Sequence, residues 1–465
     1  MQALLAPLKE LAEYDEVRKI VRQGKGTVAL SGCVDSQKLH MIYGLSDGLK
    51  YKVIVTYNDL KAKEIYEEYR FYDRNVMLYP AKDLIFFQAD IHGNQLVQER
   101  IKTLRRVVEG KPVTIVTTYA ALMTPQVLWE EKDIIHTERG GSLDESKLAS
   151  RLVAMGYEKA YQVESPGQFS VRGGIVDIFD LTEENPYRIE LWGDEIDSIR
   201  SFDVESQRSV ENMEQVVIYP ATENVEKEEQ AVSFAEYFPK EKSLFFFDEP
   251  VRLQETLEAV EKEYFHSFES RKNAGMTEEA DEIRVFQTKE IIEKFNTRYG
   301  IGLTTLETRC GGFKVRDVYS IQAAGVNPYN NSFEMLTQDL KKLKRQGYRV
   351  ILVSGSRTRA KRLAEDLRDY DLSSFYSEDM VRTVRPGEIM VVYGCVAEGY
   401  EYPMLKFMVI SESDIFGKRK KKRRRKVYEG QKIQEFAELK PGDYVVHENH
   451  GLGVYQGIEK VEVDK

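Results

Sequence analysis

The stretch Val28-Ala-Leu-Ser-Gly-Cys-Val-Asp-Ser-Gln-Lys-Leu39 is the starting point for interpreting this chain. A short apolar run is followed by Gly32 and, six residues later, by Lys38, which is the order of a phosphate-binding P-loop between a strand and a helix. A working P-loop has a second glycine before the lysine and a serine or threonine after it, because backbone N–H groups bind phosphate and the hydroxyl binds magnesium. Here Gln37 and Leu39 occupy those two positions.

Three features of this loop oppose nucleotide binding. Gln37 crowds a turn that favours glycine, Leu39 removes a magnesium ligand, and Asp35 adds negative charge beside the expected phosphates. The sequence therefore predicts a degenerate site that neither binds nor hydrolyses ATP. Two alternatives stay open, namely weak affinity without hydrolysis and an ordinary surface loop. No catalytic residue, cofactor or metal site is predicted elsewhere.

Around this loop, short β-rich runs alternate with amphipathic ones. The runs Lys52-Val-Ile-Val-Thr56 and Val113-Thr-Ile-Val-Thr117 are separated by stretches with helical periodicity, and this order is typical of a mainly parallel sheet covered by helices. Between 142 and 221 the texture changes to short strands and glycine turns, which favours a small inserted α+β domain. We place the successive regions at 1–120, 121–222 (the insert), 223–325 (the first domain resumed), 326–416 (a second α/β domain), 417–434 (a linker) and 435–465.

Composition limits the classes of function. The chain of 465 residues has 42% hydrophobic residues, lacks a run long and apolar enough to cross a membrane, and begins without a secretory pattern, so a cytoplasmic protein is expected. Its three cysteines are far apart, which disfavours a disulfide framework or a zinc site. His447 and His450 lie near Glu448 but lack further nearby Cys or His ligands, so they are expected to be structural.

Charge is distributed unevenly along the chain. The net charge is −10, of which the basic run Lys418–Lys426 contributes +9, leaving −19 for the rest. A protein that coats duplex DNA is usually more basic, so contacts with other proteins are favoured. The run is expected to be an exposed linker. The alternative, a stand-alone nucleic-acid-binding protein centred on this run, predicts an affinity for DNA that falls steeply with salt.

Two longer motifs carry a family resemblance. Together with the degenerate P-loop, Gly167-Gln-Phe-Ser-Val-Arg-Gly-Gly-Ile-Val-Asp-Ile-Phe179 and Tyr187-Arg-Ile-Glu-Leu-Trp-Gly-Asp-Glu-Ile196 resemble the front of the excision-repair protein UvrB. The segment 80–94 is too short for UvrB's tyrosine-rich, damage-gripping hairpin. At the other end, Leu439–His447 and His450–Tyr455 resemble the start of a polymerase-interacting, CarD-like barrel. The combination is similar to the amino-terminal half of bacterial transcription-repair coupling factors.

This resemblance implies an α/β fold: a degenerate RecA-like (UvrB-like) domain with an inserted small α+β domain, a second α/β domain, and the beginning of a CarD-like β barrel. It implies a docking region that recruits UvrA to RNA polymerase stalled at DNA lesions in transcription-coupled nucleotide excision repair. The barrel would contact the β subunit of RNA polymerase. Because the barrel is incomplete, we expect a fragment whose polymerase binding is weak.

In the family, an ATP-dependent DNA translocase motor follows the barrel, and none of it is visible here. ATP, magnesium and most DNA contacts would belong to that motor, so no enzyme activity is expected of this chain. The alternative is a UvrB-type ATP-dependent helicase or damage-binding enzyme, which should have glycine at 37 and serine or threonine at 39.

The UvrA-facing residues that the resemblance implies lie on the inserted domain: Lys159, Arg172, Arg188 and Glu190. Ser170 stands where UvrB's motif has a second arginine. Strand alternation puts Arg172 with Ser170, and Arg188 with Glu190, on the same side of their strands. The alternative is a solvated sheet face with an internal Arg–Glu pair, because exposed ion pairs are common and weak.

Overall fold

The computed structural model describes residues 1–23, 26–82, 93–223, 231–273, 285–306, 310–417, 444–447 and 451–454. The basic run 418–426 and His450 lie outside these ranges. The helices are α1 Gln2–Leu8, α2 Ala12–Arg22, α3 Asp35–Leu45, α4 Asp59–Tyr69, α5 Gly93–Val108, α6 Tyr119–Met123, α7 Glu145–Ala154, α8 Pro250–Asn273, α9 Thr288–Phe295, α10 Phe333–Arg345, α11 Arg357–Arg368 and α12 Glu412–Phe416.

The strands of the first domain and the insert are β1 Thr27–Ser31, β2 Tyr51–Thr56, β3 Val76–Tyr79, β4 Val113–Thr118, β5 Gln126–Val127, β6 Ile135–Glu138, β7 Glu158–Lys159, β8 Gln168–Arg172, β9 Ile175–Ile178, β10 Tyr187–Trp192, β11 Glu195–Phe202, β12 Ser209–Met213, β13 Gln215–Ile218, β14 Ala231–Val232, β15 Ser243–Asp248, β16 Gly300–Leu303 and β17 Val315–Ser320. The remaining strands are β18 Ala324–Gly325, β19 Arg349–Ser354, β20 Ser374–Ser377, β21 Ile389–Tyr393, β22 Tyr400–Tyr402, β23 Phe407–Ile410, β24 Tyr444–His447 and β25 Gly451–Val454.

The first domain is built on a seven-stranded sheet in the order β17-β1-β16-β15-β2-β4-β3, and every neighbouring pair in it is parallel. The central strands are buried from end to end, as expected when helices or other domains cover both faces of a sheet. The second α/β domain has a sheet in the order β18-β22-β23-β19-β21-β20 with a parallel centre and an antiparallel edge. The α/β prediction is confirmed.

The insert forms a six-stranded sheet, β12-β11-β10-β9-β8-β7, that is antiparallel except at β7 and β8. Strand β6 precedes this sheet in the sequence and β13 follows it, and the two strands pair antiparallel. The two connections between the insert and the first domain therefore lie next to each other. Beyond the second α/β domain, β24 and β25 form an antiparallel two-stranded hairpin.

The two faces of the seven-stranded sheet pack against different parts of the chain. Phe245 and Phe247 of β15 pack into a core that continues into the insert, where it includes Phe169. Leu244 and Phe246 point the other way because side chains alternate along a strand, and their core includes Tyr402 of the second α/β domain. The first domain is thus the middle layer of the described chain.

A buried ion cluster connects α5 to the chain that returns from the insert. Arg100 is fully buried and donates from Nε to Glu223 Oε1 at 2.5 Å and from Nη2 to the hydroxyl of Tyr79 at 2.6 Å. Lys82 Nζ lies 2.9 Å from the same carboxylate oxygen. Burial raises the pKa of Glu223, but Arg100 and Lys82 outweigh it and hold the pKa below its usual value.

We expect Glu223→Ala to lower the free energy of unfolding by about 3–5 kcal/mol, because it leaves the guanidinium of Arg100 buried without a counter-charge. Urea unfolding followed by circular dichroism measures the loss. Glu214→Ala is the matched control, since Glu214 immediately precedes β13 and its side chain is 85% exposed. Equal midpoints for the two variants would contradict this role for the cluster.

Candidate functional site

The degenerate P-loop lies between β1 and α3, as the sequence predicts. Gly32 has a φ of +75°, and a Cβ there would come within 2.4 Å of the carbonyl oxygen of Ile321, so only glycine fits this turn. The backbone N–H of Val34 donates to Gln37 Oε1 at 3.2 Å. One donor at the start of α3 is therefore satisfied by the side chain that replaces the second glycine.

Lys38 is turned into an internal ion cluster. Its Nζ donates to Asp248 Oδ1 at 2.8 Å and to Glu249 Oε1 at 2.7 Å, and its side chain is almost fully buried. Asp248 also accepts a hydrogen bond from Thr56 at 2.9 Å. Burial lowers the pKa of Lys38, but the two carboxylates outweigh it and raise the pKa above its usual value. The lysine thus stays charged, and that charge is compensated within the protein.

Asp248 and Glu249 were missed as site residues by the sequence analysis, which treated 242–248 only as a buried strand. The signal was present, because an apolar strand that ends in an acidic residue is the pattern of the Walker-B aspartate in P-loop proteins. Strand β15 neighbours β16, which neighbours β1, and this topology brings the acidic pair to Lys38.

Gln37 crosses into the second α/β domain. Its Nε2 donates to the hydroxyl of Tyr402 at 3.0 Å, and His40 Nδ1 lies 3.0 Å from the same hydroxyl. The other ring nitrogen of His40 lies 2.9 Å from the carbonyl oxygen of Leu4. Burial lowers the pKa of His40 to about 4, so the ring is neutral near pH 7. The three side chains are buried and join the α3 turn to β22.

The charged face of the insert is centred on Asp177, whose side chain is 1% exposed. Arg188 donates to it from Nε at 2.7 Å and from Nη2 at 2.8 Å, and Arg172 donates from Nη2 at 2.8 Å. The strand register sets Ser170 opposite Asp177, and Asp177 opposite Arg188. These residues share one face because directly paired residues point to the same side of a sheet.

Glu190 pairs with Arg200 rather than with Arg188. Both carboxylate oxygens of Glu190 accept from Arg200, at 2.5 and 3.0 Å, and these bonds hold the pKa of Glu190 below its usual value. The structure therefore brings Arg172 and Arg188 together through Asp177, a partner that the sequence analysis did not name. Lys159 does not belong to this charged face. It lies on the exposed strand β7, in register with the core residue Phe169 of β8.

Within the described ranges, no group of three or more His, Cys, Asp or Glu side chains is arranged to hold a metal ion. None of the described helices has both the length and the apolar character needed to span a bilayer. His447 lies in the hairpin β24–β25.

Comparison with known proteins places these elements in context. The family model of the UvrB interaction domain matches residues 135–224, and that of the CarD-like/TRCF RID domain matches residues 439–465. The transcription-repair-coupling factor of Bacillus subtilis (strain 168) is 25% identical over 98% of this chain, and that of Staphylococcus aureus (strain USA300) is 28% identical over 100%. The chain is similar to the transcription-repair-coupling factors along essentially its whole length. The family prediction made from the sequence motifs is confirmed.

The similarity covers only part of the length of the coupling factors. The chain spans 44% of the length of each of these two relatives. The UvrB interaction match begins at β6 and ends just beyond β13, so it coincides with the stretch that the paired strands β6 and β13 enclose. The charged face around Asp177 lies entirely within that match.

We expect Tyr402→Phe to lower the free energy of unfolding by about 1–3 kcal/mol, because it leaves the buried amide of Gln37 and the ring nitrogen of His40 without the shared hydroxyl. Thermal unfolding at pH 7 measures the change. Tyr393→Phe is a suitable control, since Tyr393 is exposed in β21 of the same sheet. An unchanged midpoint in Tyr402→Phe would show that this contact does not stabilise the joint between the domains.

Proposed function

We propose that this chain is the docking region of a transcription-repair coupling factor, in which the inserted domain binds UvrA. The observation that carries the proposal is the charged face of Arg172, Asp177, Arg188 and Glu190 inside the stretch that matches the UvrB interaction domain. The face is preorganised, because its arginines are already held by carboxylates on neighbouring strands. A fixed guanidinium loses less conformational entropy on binding a partner than a free one does.

We propose further that the first domain is a RecA-type, UvrB-like domain without nucleotide turnover, so ATP, magnesium and translocation on DNA belong to other parts of a full-length coupling factor. The parallel sheet with a P-loop-like turn after β1 supports the RecA-type assignment. The pairing of Lys38 with Asp248 and Glu249 supports the loss of turnover. It weighs against the alternative of a UvrB-type ATP-dependent helicase, in which this lysine must be available to phosphate.

The second proposed partner is the β subunit of RNA polymerase. The hairpin β24–β25 lies within residues 439–465, which match the CarD-like/TRCF RID domain. We assign it to the beginning of a CarD-like barrel. By joining the two docking regions in one chain, the protein would recruit UvrA to stalled polymerase in the cytoplasm of a bacterium.

For UvrA, we expect Arg172→Ala to weaken binding at least about tenfold while the insert stays folded, since Arg188 still holds Asp177 with two hydrogen bonds. Isothermal titration calorimetry with purified UvrA measures the affinity. Lys147→Ala is the control, because Lys147 is exposed on α7 of the same insert. Arg188→Ala is less informative, since it removes the main partner of the buried Asp177.

In the same assay, Lys159→Ala tests whether the edge strand β7 contributes to UvrA binding. Glu190→Gln tests the contribution of the carboxylate that pairs with Arg200. Wild-type affinity for UvrA in a variant with Arg172→Ala, Lys159→Ala and Glu190→Gln combined would reject this surface as the UvrA contact.

For RNA polymerase, we expect residues 1–465 to bind the β subunit weakly, because the described part of the stretch that matches the CarD-like/TRCF RID domain is a two-stranded hairpin, which is marginally stable alone. A longer chain that continues by about 50 residues, the lower limit for a domain, should bind at least about tenfold more tightly. Biolayer interferometry with immobilised β subunit at fixed salt compares the two. Equal, tight binding by both would place the polymerase contact within the present chain.

A further inference from the structure

A cleft of about 1070 Å³ separates the first domain from the second α/β domain. One wall is formed by the first turns of α3 and by α4, including Asp35, Lys61 and Glu68. The other is formed by the segment that follows β21 and by α12 with its flanking residues, and includes Glu412 and Gly417. Lys38 and Asp248 lie in the cleft as well, so it contains the position at which a nucleotide would meet the P-loop lysine.

The charge of this cleft does not suit a nucleotide. Six carboxylate residues line it, against three basic ones, so three negative charges are in excess when all groups are ionised: Asp35, Glu64, Glu68, Asp248, Glu398 and Glu412 against Lys38, Lys61 and Arg359. The three basic side chains are each engaged by a carboxylate: Lys38 by Asp248, Lys61 by Asp35, and Arg359 by Glu412. A phosphate group would meet repulsion here, whereas an ammonium or guanidinium group would be attracted.

Glu68 is a buried carboxylate with one oxygen that lacks a hydrogen-bond donor within the described residues. Only 8% of the residue is exposed, it lines the cleft, and within the described residues no donor reaches its Oε1. Burial raises its pKa to about 7, although the hydroxyl of Ser36 and the N–H of Ala397 act in the opposite direction. A buried acceptor without a partner costs free energy, and a cationic donor would recover it.

We propose that this cleft binds lysine and arginine side chains, and that they are supplied by the basic run 418–426 of the same chain. Two observations select this source. Phe416 and Gly417 themselves line the cleft, and the run follows Gly417 directly in the sequence. The run carries a charge of +9, which complements the acidic excess. Nine residues span at most about 30 Å when extended, which is long enough to reach into a cleft that Gly417 lines.

This binding has a consequence for nucleic acid. Lysine and arginine side chains held by carboxylates are withheld from phosphates, so the cleft competes with DNA or RNA for the run. The net effect is that the basic run contributes less to nucleic-acid affinity than its charge alone would give.

The test uses a fluorescein-labelled peptide with the sequence of residues 417–426 and measures its anisotropy with the full chain at fixed salt. In a run-neutral variant, all nine basic residues of 418–426 are replaced by serine, which leaves the cleft intact. We expect the run-neutral variant to bind the peptide at least about tenfold more tightly than the wild-type chain, whose own run occupies the cleft.

Specificity for the cleft is tested in the run-neutral background. Glu68→Gln should weaken peptide binding at least about tenfold, whereas Glu67→Gln, its exposed neighbour on α4 outside the cleft, should leave it unchanged. Glu64→Gln, at the exposed rim, should weaken binding several-fold and serves if Glu68→Gln does not fold.

Four results would overturn the proposal. Equal peptide affinity for the wild-type and run-neutral chains would reject the run as the occupant. Equal effects of Glu68→Gln and Glu67→Gln, or no peptide binding by any variant, would reject the cleft as a cation site. Displacement of the peptide by MgATP at micromolar concentration would show instead that the cleft is a nucleotide site.

Discussion

The ion cluster of Lys38 with Asp248 and Glu249 is the constraint on which the rest of the structure depends. It lies where the seven-stranded sheet meets the second α/β domain, and it converts a lysine suited to phosphate binding into an internal counter-ion. The buried lysine and the buried carboxylate of Asp248 would each be costly alone, so the two are stable only as a pair. Gln37 completes the change, because its side chain caps α3 and reaches Tyr402 of the next domain. A turn that resembles a nucleotide site is thus used as a joint between domains.

This joint attaches the second α/β domain to the first through buried side chains. The second α/β domain packs on one face of the central sheet, and the insert extends the core on the other. On the insert, Asp177 has a comparable role on a smaller scale: it is buried and fixes Arg172 and Arg188 from neighbouring strands. In both places a buried carboxylate determines where the surrounding cations lie. At the joint Lys38 is almost fully buried, whereas on the insert Arg172 remains partly exposed.

Much of the fold could be predicted because its signals are local. The alternation of β-rich and amphipathic runs predicted the parallel sheet, and glycine turns predicted the insert. The departures from the P-loop pattern at positions 37 and 39 could also be recognised from the sequence, since the P-loop is a contiguous motif. What sequence reasoning missed are partners distant in the chain: Lys38 and Asp248 are 210 residues apart, and Gln37 and Tyr402 are 365 apart. Alternation placed Arg188 and Glu190 on one side but could not show that they pair with Asp177 and Arg200 on adjacent strands.

We propose that Lys38, paired with Asp248 and Glu249, leaves no site for a nucleotide in the first domain. Isothermal titration of MgATP into the chain, together with a phosphate-release assay on the same sample, tests it most directly. We expect no saturable binding up to millimolar ATP and no phosphate release above that of buffer. Saturable binding at micromolar ATP, with hydrolysis that disappears in Lys38→Arg, would contradict it, because Lys38 would then have to leave Asp248 and Glu249 to bind phosphate.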